Sequence, residues 1–154
     1  MTFESKNWNS LPDESRFWCF SARYPFDDGK DDFLKNALNE LCSSWKAHGQ
    51  PIKAGFRVVE KRVIAICADE SSAIASGCSI DSRMDLLKKI SLELKVDIFD
   101  RFHIHVRENS SSKWLSVSLK TAKKMESGEF LNTVANMKGD WNPISKIKGS
   151  WLCP

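Results

Sequence analysis

The run Ala75-Ser76-Gly77-Cys78-Ser79-Ile80-Asp81 holds the densest set of chemically capable side chains in the chain. It lies between an apolar run and the start of a helical pattern, where unsatisfied main-chain N–H groups can collect an anion. Gly77 lets a ligand approach the backbone closely, while Ser76 and Ser79 add hydroxyls. Cys78 at a helix start would feel the positive end of the dipole, which favours thiolate. Two chemistries follow. One is a cleft for an anion or small ligand, built from Ser76, Gly77, Ser79 and Asp81. The other is thiol catalysis, with Cys78 as nucleophile and His48 or a strand histidine as base. A third account is purely structural: a tight turn with a half-buried cysteine and a serine or aspartate cap.

Other candidates are sparser. His103 and His105 share one face of a strand and could ligate a metal, but no third ligand stands at a readable spacing, so no metal is expected. His48 is placed at the end of a helix, where a cation meets the negative end of the dipole. In Asp97-Ile98-Phe99-Asp100-Arg101-Phe102, an Asp–Arg pair could grip a carboxylate or phosphate, or form a hydrogen-bonded corner. Trp18, Trp45 and Trp114 fit core positions. Trp141 and Trp151 would either pin the tail down or stack against a partner.

Several functions are excluded by what is missing. A phosphate-binding loop needs G-x-x-x-x-G-K-[ST], and a dinucleotide site needs G-x-G-x-x-G; neither occurs. Lys30 follows Gly29 but leads into Asp31-Asp32, which would repel phosphate. The five cysteines form no C-x-x-C pair, so neither a zinc knuckle nor a disulfide framework is expected, and no cofactor is implied. Residues 1–100 carry 14 basic against 16 acidic side chains, net −2, and residues 101–154 carry 9 against 4, net +5. That basic third could touch an acidic partner, which leaves weak nucleic-acid binding as a further alternative, although solvated lysines are the simpler account. A small anion or a protein is the expected partner, with no membrane. The first residues lack a signal-peptide pattern and no apolar run approaches the ~20 residues of a membrane span. Cytoplasmic location is the expectation.

The elements that must position these residues can be read from periodicity. Residues 1–15 read as a flexible leader before a single α+β domain over 16–154. Arg16 to Tyr24 is strand-like. Phe33, Leu34, Ala37, Leu38, Leu41, Cys42 and Trp45 form one helical stripe, predicted to stop at His48-Gly49. Lys53–Glu60 and Val63–Ala68 read as a hairpin, the second strand covered on both faces. Met84, Leu87, Ile90 and Leu94 line a second helix, capped by Asp81 or Ser82. His103–Val106 and Trp114–Leu119 suggest two more strands, and Thr121–Ser127 a short helix before an irregular tail. The order predicts an α+β fold of split β-α-β, ferredoxin-like plan with both helices on one face and a C-terminal strand and helix extension.

Trp45-Lys46-Ala47-His48-Gly49-Gln50-Pro51-Ile52-Lys53-Ala54, Val63-Ile64-Ala65-Ile66 with Asp69-Glu70, Ser76-Gly77-Cys78-Ser79-Ile80-Asp81, Asp97-Ile98-Phe99-Asp100-Arg101, Trp141-Asn142-Pro143 and Ser150-Trp151 together resemble a family of small proteins from Bacteroidetes-type bacteria. The resemblance runs from about Phe17 to Trp151. Some members of that family carry the label "ABC transporter ATPase", which the missing phosphate-binding loop contradicts. The resemblance implies that Trp45, His48, Gly49, Lys53, Ser76, Gly77, Cys78, Asp81, Asp100 and Arg101 belong to one pattern. Lys53 and Arg101 thereby join the expected ligand-binding set.

Overall fold

Val63–Asp69 (β6) is apolar at every position but its last because it is covered on both sides. The structure, a computed structural model that describes residues 2–154, places β6 inside a four-stranded antiparallel sheet. Its neighbours are Lys53–Val59 (β5) and Arg16–Ser21 (β2), and Thr2–Glu4 (β1) lies beyond β5. Side chains alternate across a strand. Ile64, Ile66 and Ala68 therefore face one core with Phe56, Val58, Trp18 and Phe20. Val63, Ala65 and Cys67 face another with Phe17 and Val59.

The first core is roofed by the helices Asp31–Ser43 (α1) and Gly77–Leu94 (α2). Leu34, Leu38 and Leu41 from α1 and Leu87, Ile90 and Leu94 from α2 are buried there, so both helices lie on one face, as expected. The opposite face is covered by Trp8, Leu11, Trp114, Leu131 and Trp141. Trp114 and Leu131 belong to the region of a second antiparallel sheet of His103–Arg107 (β7), Leu115–Ser118 (β8), Glu129–Leu131 (β9) and Ile144–Lys146 (β10), in the order β10-β9-β7-β8.

The mixed α+β class agrees with the sequence reading, but the strand order departs from the ferredoxin-like plan at its last member. β5-β6-β2 keeps the order expected of three strands. The fourth, β7, joins the second sheet instead. The segment before it makes one bridge to β2, Ser21 to Phe99, and Asp100 N–H donates to the Ser21 carbonyl at 3.2 Å. Asp100 Oδ1 then accepts from Phe102 N–H at 2.8 Å, a side-chain turn that diverts the chain before pairing can continue.

Other boundaries also move. Where a flexible leader was expected, β1 pairs with β5, and Trp8 and Leu11 are buried; Met1 lies outside the described residues. Helix α1 ends at Ser43, with Ser44 as its C-cap, whose N–H and hydroxyl both bond the Glu40 carbonyl. His48 therefore caps no helix. It stands at the tip of a small hairpin, Lys46–Ala47 (β3) with Gln50–Pro51 (β4), where His48 and Gly49 have φ of 52° and 78°. Two consecutive positive φ values are what a two-residue hairpin turn demands. The last helix, Leu119–Ala122 (α3), is shorter than expected and starts earlier, with Ser118 as its cap. The supposedly irregular tail supplies β9 and β10.

Candidate functional site

Ser76, rather than Asp81 or Ser82, caps α2. It is extended, with ψ of 160°, and its Oγ accepts from Ser79 N–H at 3.1 Å. This draws Cys78, Ser79 and Asp81 into the first turns of the helix. Ser79 is buried and its hydroxyl donates to the Ser76 carbonyl at 2.9 Å, so it builds the turn rather than facing a ligand. Gly77 and Cys78 are exposed, and a Cβ on Gly77 would meet nothing within 4 Å. Among the described residues, no protein acceptor meets their N–H groups. Beside them lies a groove of about 510 Å³ lined by His48, Gln50, Glu70, Ser71, Ser72 and Ser76, among others. The hairpin thus brings His48 to the Ser76 side. Glu70 holds the loop from within, its carboxylate accepting from Ala75 N–H at 2.7 Å and lying 3.7 Å from Arg16.

Lys53 stands at the same end of the sheet, paired in register with Asp69. Asp81 is exposed. Arg101 does not join them. It follows the C-terminal end of α2, an 18-residue helix about 27 Å long. The sheet agrees: Arg16 at the start of β2 approaches Glu70, whereas Ser21 at its end bridges Phe99. Cys78 has no hydrogen-bonded base among the described residues, and neither His103 nor His105 is at its end of the sheet. No group of three His, Cys, Asp or Glu side chains is placed to hold a metal ion among the described residues. No described helix is long and apolar enough to cross a membrane.

No family model, no curated protein and no solved structure matches this chain.

The opposite end of the sheet carries a constellation that residue-by-residue reading divides. Asp100 Oδ2 is 2.7 Å from His103 Nδ1, so the aspartate pairs with a histidine rather than with Arg101. One residue pair deeper on the same strand face, His105 is fully buried, with Nε2 3.2 Å from Ser21 Oγ. Burial, followed by the Arg62 charge, lowers the His105 pKa to about 4. A pocket of about 370 Å³ opens beside His103 and Asp100, walled by Arg23, Tyr24, Lys95, Val96 and Asp97. The available signal was the spacing Asp-x-x-His across the entrance to a strand. Trp141 and Trp151 are tied down by hydrogen bonds from Nε1 to the Asn132 carbonyl (2.7 Å) and to Asn132 Oδ1 (3.1 Å), respectively.

Proposed function

We propose that this chain is a cytoplasmic binding domain whose cleft for a small, singly charged anion lies at the N-terminus of α2. The reading rests on Gly77 and Cys78, exposed in the first turn of α2 with no protein acceptor on their N–H groups among the described residues. They directly follow Ser76, which lines a groove together with His48. Helix N-termini favour negative charge. The Glu70 carboxylate in the same wall disfavours a highly charged ligand, although Arg16 and Ala75 N–H hold part of its charge. The resemblance to the Bacteroidetes-type family and the ferredoxin-like reading of β2, α1, β5, β6, α2 and β7 belong to the same proposal. Titrating ¹⁵N-labelled protein with acetate should shift the amides of Gly77 and Cys78 first. Saturation elsewhere with these two unmoved would sink the reading.

Exposure of Cys78 supports the alternative of a thiol-dependent enzyme. Iodoacetamide labelling followed by peptide mapping tests it: a Cys78 rate no greater than that of a free thiol of pKa ~8.5 removes this option. Nucleic-acid binding through the basic C-terminal part draws less support, since Trp141 is buried and only Trp151 is partly open.

A further inference from the structure

We infer that the pocket at the C-terminal end of α2 is a second binding site, for a dianionic oxyanion of the phosphate-monoester type, and that binding is coupled to proton uptake by His103. The inference is independent of the cleft at Gly77.

Its basis is the way Asp100 is built in. Oδ1 is held by Phe102 N–H at 2.8 Å and Oδ2 by His103 Nδ1 at 2.7 Å, while Asp100 N–H is fixed on the Ser21 carbonyl. Both oxygens of the carboxylate are thus committed, and the backbone anchors it where the two sheets meet. An ionised carboxylate accepts only, so the neutral ring of His103 carries its proton on Nδ1. Nε2 keeps its lone pair, and among the described residues nothing in the protein occupies it. An aspartate behind a histidine in this way also stabilises the imidazolium once a proton arrives.

The walls supply the charge. Arg23, stacked over Tyr24 at 5.1 Å, and Lys95 are both exposed and border the pocket with His103. Asp97, with one oxygen bonded by Phe99 N–H at 2.8 Å, and the negative end of the α2 dipole oppose them. The two cations and a protonated His103 must together outweigh these. Behind the ring stand neutral His105 with Ser21, and Arg62, whose charge acts on His105. A dianion between Arg23 and Lys95 would present oxygen acceptors to Nε2, which can meet them only as a donor. The ring therefore takes a proton from solvent, forming an Nε2–H bond, keeps its Nδ1 proton hydrogen-bonded to Asp100, and no other bond is made or broken. On release of the anion the proton returns to solvent.

Sulfate is the discriminating probe because it stays dianionic at neutral pH, so any proton taken up belongs to the protein. Calorimetry at pH 7.5 in buffers of differing ionisation enthalpy should show uptake of a fraction of one proton per sulfate. Long-range ¹H–¹⁵N spectra should show His103 passing from the Nδ1–H tautomer to the doubly protonated ring, and phenyl phosphate should behave alike. Lys95→Met with Arg23→Met should weaken binding at least tenfold. Asp100→Asn keeps the bond to Phe102 N–H but donates to Nδ1, placing the ring proton on Nε2. It should lower or abolish proton uptake while the surface variants keep it per bound anion. Three results overturn the inference: no shifts at Arg23, Lys95 and His103 up to tens of millimolar, sulfate binding there without proton uptake, or an unchanged tautomer in Asp100→Asn. Shifts confined to Gly77 and Cys78 are a case of the first result and would leave the first cleft standing.

Discussion

Ser21 Oγ and His105 Nε2 stand 3.2 Å apart across 84 residues of sequence, joining the end of the first sheet to the middle of the second. The pair is buried, and His105 is held neutral. In the unfolded chain the ring titrates near its ordinary value of 6.5, whereas in the fold it titrates at about 4. Unfolded chains therefore bind more protons between these values. The stabilisation is complete above pH 6.5 and is lost as pH falls through 4. The difference corresponds to about 3 kcal/mol. Urea midpoints should fall between pH 7 and pH 4.5, and His105→Gln should flatten that part of the profile.

Gly55 marks where the N-terminal segment crosses the sheet. A Cβ there would lie 2.7 Å from Ser5 Oγ and 2.8 Å from Leu11 Cδ1. Asn7 Oδ1 is also within 2.9 Å of that position. Ser5 Oγ accepts from Phe56 N–H at 3.0 Å and Asn7 Nδ2 donates to the Ala54 carbonyl at 2.9 Å, so neither of these two polar neighbours can retreat freely. Gly55→Ala should destabilise by about 1–3 kcal/mol, read from chemical denaturation.

His48 occupies a left-handed turn position that asparagine tolerates better. His48→Asn would create the Asn-Gly pair favoured in such turns and should raise the melting temperature slightly. The same change removes the ring from the groove and should weaken acetate binding at Gly77. Thermal melts and the amide titration read the two effects separately.

Trp141 packs against Phe17 at 5.0 Å and Trp8 at 6.0 Å between ring centroids, with Nε1 bonded to the Asn132 carbonyl. Trp141→Ala should cost about 3–5 kcal/mol, because it empties the layer joining the N-terminal segment to the tail. Trp151→Ala, at a ring still 38% exposed, should cost markedly less in the same denaturation series.

The thiols should separate by burial. Cys78 is exposed, whereas burial pushes Cys42 and Cys67 up to about 12. Native protein should label first at Cys78, with Cys42 and Cys67 protected until urea unfolds the chain. Early labelling of Cys67 would contradict its place in the doubly covered strand.

Much of the frame was legible because repeated side-chain contacts share a local period. Leu34, Leu38 and Leu41 announce a helix face, and Val63–Ala68 announces a strand covered twice. Ends were less legible. Ser44 and Ser76 cap their helices through side-chain hydroxyls, a role a neighbouring serine or aspartate could equally have filled. The candidate sites were read in part. In the Ser76–Asp81 turn Gly77, Cys78 and Asp81 are exposed and Ser79 is buried, while Arg101 belongs to the other end and Asp100 has His103 as its partner.

By itself the sequence determined the α+β class and the principal elements β2, α1, β5, β6, α2, β7 and β8, the inner faces of both main helices, and the absence of phosphate-loop and dinucleotide motifs. Only the tertiary structure decided which sheet received β7, that the first residues would be paired, and that Asp100–His103 and Ser21–His105 would meet at one corner. Periodicity records which face of an element is buried. It does not record what buries it, because the competing strand pairings differ in long-range packing and in the one turn at Asp100.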